Sequence, residues 1–162
     1  MKKLFVMALV CAAALLGAAE KNLAPAKWYI YGKKSDVQST EITKEGVVVC
    51  NSKVAKGAMT GVFNSIIFAQ PITGSITFGG ESKAENVQGA TDFNYCVYLD
   101  MTYADGTKQY GLKAPFKGGT HDWEKKSTTF KLPKPVKGIN FYVLFRNCTG
   151  KVEFRNMFFY NK

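Results

Sequence analysis

Histidine is nearly absent from this chain: His121 stands alone among 162 residues. One imidazole cannot build a histidine metal cluster, and no serine accompanies it in a nucleophile turn. Beside Asp122 it forms at most half of an acid–base pair. The simpler expectation is that His121 fixes a loop ahead of the strand that follows. Acids are scarce too, with 12 Asp and Glu against 22 Lys and Arg. A glycosidase needs two carboxylates across one cleft. Asp100 and Glu153 are the best-placed acids within expected strands, but nothing local brings them together, so no catalytic residues and no enzyme activity are expected. No glycine-rich phosphate loop opens a helix, which argues against a nucleotide cofactor. No linker, repeat or low-complexity stretch divides the chain, which leaves one domain.

Long apolar runs are confined to the start. Met1-Lys2-Lys3 is basic, Leu4 to Leu16 is apolar, and Gly17-Ala18-Ala19 supplies small residues. This is the pattern of a bacterial secretory signal peptide over 1–19, cleaved after Ala19. A short leader is expected over 20–27 and a single domain over 28–162. The cleaved chain then has 143 of the 162 residues. Losing Lys2 and Lys3 leaves 20 basic against 12 acidic residues, a net charge of +8. The predicted destination is outside the cytoplasm: secreted, periplasmic or at the cell surface. No second apolar run could insert in a membrane. The lysines are scattered, without the density of a nucleic-acid arm, so no nucleic-acid partner is expected. Cys50, Cys96 and Cys148 remain after cleavage, and an odd count leaves their pairing open.

What the chain does have is alternation. Phe93, Tyr95, Val97, Leu99, Met101 and Tyr103 fall on one face of an extended segment. Ile139, Phe141, Val143 and Phe145 repeat the pattern, as do Val152, Phe154 and Phe158. A period of two buries one face of a strand. About nine strands are expected, starting with Trp28 to Tyr31. Lys44-Glu45-Gly46 and Ala104-Asp105-Gly106 supply hairpin turns, and Pro71 opens a strand where its missing N–H costs least. The predicted fold is all-β, an antiparallel β-sandwich of jelly-roll type.

On the face opposite this core, the strand from Phe93 carries Tyr98 and Asp100. The strand from Gly138 carries Asn140, Tyr142, Leu144 and Arg146. Tyr98, Asp100, Tyr142 and Arg146 are the candidate carbohydrate-binding residues, because flat aromatic rings stack on sugars while carboxylate and guanidinium bond their hydroxyls. The competing reading makes Asp100 and Arg146 a cross-strand ion pair, with the tyrosines covering the sheet. The loops near Trp28 and Tyr110 form an alternative edge site.

An ordered series of segments resembles a known family. It comprises Val97-Tyr98-Leu99-Asp100, Thr102 to Thr107, Gly119-Thr120-His121-Asp122-Trp123, Pro133 to Lys137, Val143 to Asn147, Thr149-Gly150 and Phe154. Together they look like a galactose-binding-domain-like jelly roll, the carbohydrate-binding-module type of domain in bacterial secreted and surface proteins. The resemblance covers roughly Glu81 to Tyr160. It implies non-catalytic binding of a poly- or oligosaccharide and a core-anchoring role for Trp123. It also implies a structural calcium held by acids after the last-strand Phe. Here that stretch is Phe154-Arg155-Asn156, so the acids are gone and only Asn156 is left as a ligand; no cofactor is expected. The rival expectation is a structural subunit on the same fold, self-assembling or docked to an envelope protein.

Overall fold

The computed structural model describes residues 21–162, so the expected signal segment and its cleavage site lie outside the described residues. Ten strands follow: β1 (Tyr29–Ile30), β2 (Gln38–Ile42), β3 (Val48–Ser52), β4 (Met59–Ile72), β5 (Ser75–Gln88), β6 (Tyr95–Tyr103), β7 (Lys108–Pro115), β8 (Gly119–Lys131), β9 (Val136–Arg146) and β10 (Thr149–Asn161). Two five-stranded antiparallel sheets form. Sheet A runs β1-β4-β9-β6-β7 and sheet B runs β2-β3-β10-β5-β8. The protein is a jelly-roll β-sandwich, with no helix among the described residues.

The alternation decides which way each strand faces. Val97, Leu99 and Met101 on β6 and Phe141, Val143 and Phe145 on β9 are buried between the sheets. Burying one such side chain contributes about 1.5–3 kcal/mol, and a one-residue slip would turn the whole set to solvent. Tyr95 sits at the hub of an aromatic cluster, with ring centroids 5.2 Å from Phe116, 5.7 Å from Phe145 and 5.6 Å from Phe154. Where β4 meets β9, Gly61 has φ +135, and a Cβ there would lie 2.0 Å from the Val143 carbonyl oxygen. Only glycine fits so close an approach.

Irregular backbone moves several residues from their expected places. Phe93 is exposed rather than in the core. The amides of Asn94 and Tyr95 both bond the Thr91 carbonyl, which makes a turn and delays β6 until Tyr95. In β10, a register shift between Arg155 and Phe158 coincides with Asn156 at φ 51. The phase changes there, so Phe159 joins the core. Phe158 is also buried but faces the other way, 5.3 Å from Tyr160 and beneath the Lys125 ammonium. Asn156, the calcium remnant of the sequence reading, is thus the positive-φ residue of a bulge.

Trp123 does not anchor the core; its ring carries the Arg155 guanidinium at 3.9 Å. The tryptophan packed on the core is Trp28, edge-on to Phe141 at 5.3 Å. Pro71 lies one residue from the end of β4 instead of opening β5; the turn falls at Thr73–Gly74, and Gly74 has φ +85. His121 lies within β8, not in a loop before it. Its Nδ1 donates to the Asp122 carbonyl at 2.7 Å and its ring stacks on Tyr95. The expected leader is pinned to β10: the Leu23 amide donates to the Phe159 carbonyl at 2.8 Å, and Asn22 Oδ1 accepts from the Phe159 amide at 3.0 Å. Cys50, Cys96 and Cys148 are buried free thiols. Burial pushes Cys50 and Cys96 up to about 12 and raises Cys148.

Candidate functional site

The register of sheet A lays its outward side chains in rows across the strands. Tyr29 pairs with Phe63, Phe63 with Tyr142, and Tyr142 with Tyr98, whose other neighbour is Lys113. One row thus carries four aromatic rings over β1, β4, β9 and β6. Phe63 stacks on Tyr142 at 6.0 Å, and Tyr98 meets Tyr142 edge-on at 5.8 Å. Tyr31, just past β1, adds a fifth ring at 6.0 Å from Tyr142. The next row along the strands is polar: Ser65, Asn140 and Asp100 are in register, and the Ser65 hydroxyl donates to Asn140 Oδ1 at 2.7 Å. Rows on one face recur about every 6.6 Å, so aromatic and hydrogen-bonding groups lie side by side.

Tyr98, Asp100, Tyr142 and Arg146, widely separated in sequence, line one depression of about 210 Å³ together with Tyr31 and Leu144. A second hollow of about 310 Å³, lined in part by Ser65, Ile67, Thr102, Gly138 and Asn140, abuts it along the polar row. From Gly138 to Arg146 the two span about 26 Å of strand β9.

Asp100 and Arg146 form no ion pair, contrary to that part of the competing reading. Asp100 is in register with Asn140, whereas Arg146 pairs with Met59. Asn140 and Arg146 are six residues apart on β9, about 20 Å. Asp100 is instead held by its own edge. Leu99 pairs with Leu112 and Met101 with Gln109, so Tyr110 and Gly111 together oppose Asp100. This bulge, with Gly111 at φ +85, points the Gly111 amide at Asp100 Oδ1, 3.3 Å away. It also throws Tyr110 outward, 59% exposed.

Burial first, then the Asp100 carboxylate beside its hydroxyl, pushes the Tyr98 phenol up to about 12. Burial first, then Asp100 and Tyr31, raises Tyr142. Both hydroxyls therefore stay protonated in neutral and mildly alkaline solution. The Arg146 side chain is half-buried, and its Nε is buried without a hydrogen-bond partner. The arrangement can stack flat rings and offer donors and acceptors at their edges. It cannot pair Asp100 with Glu153, because these carboxylates lie on the outer faces of opposite sheets, and Glu153 is bound to Lys151.

Sequence reasoning placed Asn140 on this face but missed Tyr31, Phe63 and Ser65 as members of it. The Tyr29–Tyr31 spacing signalled a shared side, but the register that brings it to Tyr142 is a tertiary property.

No protein-family profile matches the chain. Over 81 residues it is 33% identical to the tRNA nuclease WapA of Bacillus subtilis (strain 168), a match taking in 49% of this chain and 3% of the relative. The tRNA3(Ser)-specific nuclease WapA of Bacillus spizizenii matches to the same extent. The chain therefore corresponds to a small part of these curated relatives. Among solved structures, a family 4 carbohydrate-binding module superposes with a TM-score of 0.53 at 10% identity, covering 83% of this chain and 86% of that one. The family 22 xylan-binding domain of Paenibacillus barcinonensis Xyn10C gives 0.51 at 11% identity, covering 83% and 85%. The family 22 and xylanase modules of Clostridium thermocellum Xyn10B, solved with xylohexaose, give 0.55 at 11% identity, covering 83% and 26%. The fold is the jelly roll of carbohydrate-binding modules.

Proposed function

We propose that this protein is a non-catalytic carbohydrate-binding protein that acts outside the cytoplasm, and that the outer face of sheet A is its binding site. The observation that carries the reading is the aromatic row Phe63, Tyr142, Tyr98 lying beside the polar row Ser65, Asn140, Asp100, with Tyr98, Tyr142 and Asp100 lining one hollow and Ser65 and Asn140 lining its neighbour. A pyranose has an apolar face and a rim of hydroxyls, and the two rows match those two demands. The signal-like segment at 1–19 supports the location. The opposed placement of Asp100 and Glu153 supports binding over hydrolysis. The similarity to WapA does not supply a nuclease site, because the nuclease activity is named for a protein of which this chain matches 3%.

A glycan array followed by calorimetry tests the reading. Binding that weakens in Tyr142→Ala and Asp100→Asn, in proteins that keep the wild-type circular dichroism, supports it. Absence of binding to any polysaccharide at millimolar concentration sinks it.

A second reading, an assembly subunit on the same scaffold, draws on the edge of sheet A. Ile67 is 79% exposed there, and Ile30 is 52% exposed. Light scattering across concentrations separates the two: a monodisperse monomer favours the binder, and ordered oligomers or filaments favour assembly.

A further inference from the structure

Arg146 and Arg155 are the two arginines of the chain, and they are treated very differently. Arg155 is compensated on two sides, by Glu81 through Nε at 2.8 Å and by the Trp123 ring at 3.9 Å. Arg146 has neither kind of partner. It enters no ion pair among the described residues, and its Nε is buried without a hydrogen bond. Its charge acts on the neighbouring Cys96 and Tyr98. Asp92, which acts on the same Cys96, is already bound to Lys113. Asp100 lines the same depression but forms no ion pair with Arg146, their backbones lying about 20 Å apart along the strands. A half-buried guanidinium with no counter-ion, beside tyrosines that meet edge-on, is an anion receptor waiting for its anion.

Resting on the carbohydrate reading above, we propose that the ligand carries a carboxylate, as a hexuronate unit, and that Arg146 is the subsite that holds it. The guanidinium fork matches a planar two-oxygen group, which favours carboxylate over tetrahedral sulfate. Tyr142 and Tyr98 stack on the uronate and its neighbour, and Asp100 accepts hydroxyls further along the groove. Asp100 also sets a limit. A polymer with an anion on every unit brings a second negative charge against it, and like charges in a half-buried site repel. The site therefore selects an occasional uronate on an otherwise neutral chain.

The test compares three probes by calorimetry: xylan oligosaccharides bearing one glucuronate, the same oligosaccharides after carboxyl reduction, and oligogalacturonate. The glucuronate form is expected to bind at least tenfold tighter than its reduced form, with oligogalacturonate weaker than the glucuronate form. Arg146→Gln is expected to remove the preference, so that the acidic and reduced forms bind alike. Arg146→Lys is expected to restore only part of it, because an ammonium cannot fork. Thermal unfolding of both variants checks that the fold persists. Equal affinity for acidic and reduced forms, or a preference that survives in Arg146→Gln, overturns the uronate subsite. If binding of the reduced form still depends on Tyr142, the carbohydrate reading stands without it. If no probe binds and the array is blank, both fall.

Discussion

The two outer faces of the sandwich differ in what they do with charge. On sheet B several cations are matched: Lys151 with Glu153 at 3.2 Å, Arg155 with Glu81 at 2.8 Å and Lys83 with Asp122 at 3.8 Å. Its tryptophan, Trp123, is capped by a guanidinium. On sheet A, Asp100 and Arg146 are left without counter-ions, and the rings pack against one another with their hydroxyls at a hollow. Exposed ion pairs contribute little to stability, so the pairing on sheet B does less to hold the fold than to occupy the charged groups on that face. Sheet A keeps its unmet partners. The lesson is that unfilled hydrogen-bonding capacity, more than aromatic content, marks the face built to receive something.

The comparison is broken most sharply by truncating one ring on each face. Tyr142→Ala is expected to lower carbohydrate affinity by at least about tenfold, from the loss of roughly 1.4 kcal/mol or more of stacking. Trp123→Ala on sheet B should leave affinity unchanged, and calorimetry on both variants reads the contrast. Equal losses would erase the distinction between the faces.

Asp100→Asn should cost less, about threefold to tenfold in affinity, because the amide oxygen still accepts from the Gly111 amide while the charge is lost. Its melting temperature should stay close to wild type. A large drop would mean that Asp100 serves the bulge and not a ligand.

Smaller still is the effect expected from sheet B. Glu81→Gln should destabilise the protein by about 0.5 kcal/mol and leave binding untouched. The Arg155 guanidinium, through its hydrogen bond, holds the Glu81 carboxyl below its ordinary value. Its contribution is therefore present above the usual carboxylate range and lost as pH falls through the lower folded value. Denaturant unfolding of wild type and Glu81→Gln should converge in acid. At the alkaline end the sign reverses. Tyr98 is raised to about 12, so its contribution is whole below about pH 10 and is lost as the pH climbs through about 12. Phenolate absorbance should show this hydroxyl titrating late.

Salt should matter least. With the lysines scattered and many of them paired, affinity should change by less than about tenfold between roughly 50 and 200 mM salt. A steeper fall, as polyanion binders show, would move the site to the basic surface.

Much of this was legible in the sequence, and for a physical reason. The alternation of Val97, Leu99 and Met101 with Tyr98 and Asp100 is a property of one strand, so both the core and the opposite face could be read from it. The same holds for Phe141, Val143 and Phe145 against Tyr142. That the two faces meet required β6 to lie beside β9, which local pattern only suggests. Phe158 and Phe93 were misplaced because a bulge and a turn interrupt the count of two without an apolar residue to mark them. Trp123 was misplaced because a large aromatic reads as core unless its cation, 32 residues further on, is known to lie above it. Tyr31 and Phe63 belong to the site only through pairing at the other edge of the sheet.

The three thiols of the described residues give the molecule a built-in clock. A thiol reacts with an alkylating reagent as its thiolate and only where the reagent can reach it. Cys50 and Cys96 fail on both counts while the sandwich is closed. Their labelling rate therefore measures how often the two sheets come apart, with no engineered probe. Cys148, 4.0 Å from the Ala90 carbonyl in the loop after β5, reports on a different event. If it labels first, that loop opens while the core stays shut, and the ratio of the rates gives the order in which the jelly roll unwraps.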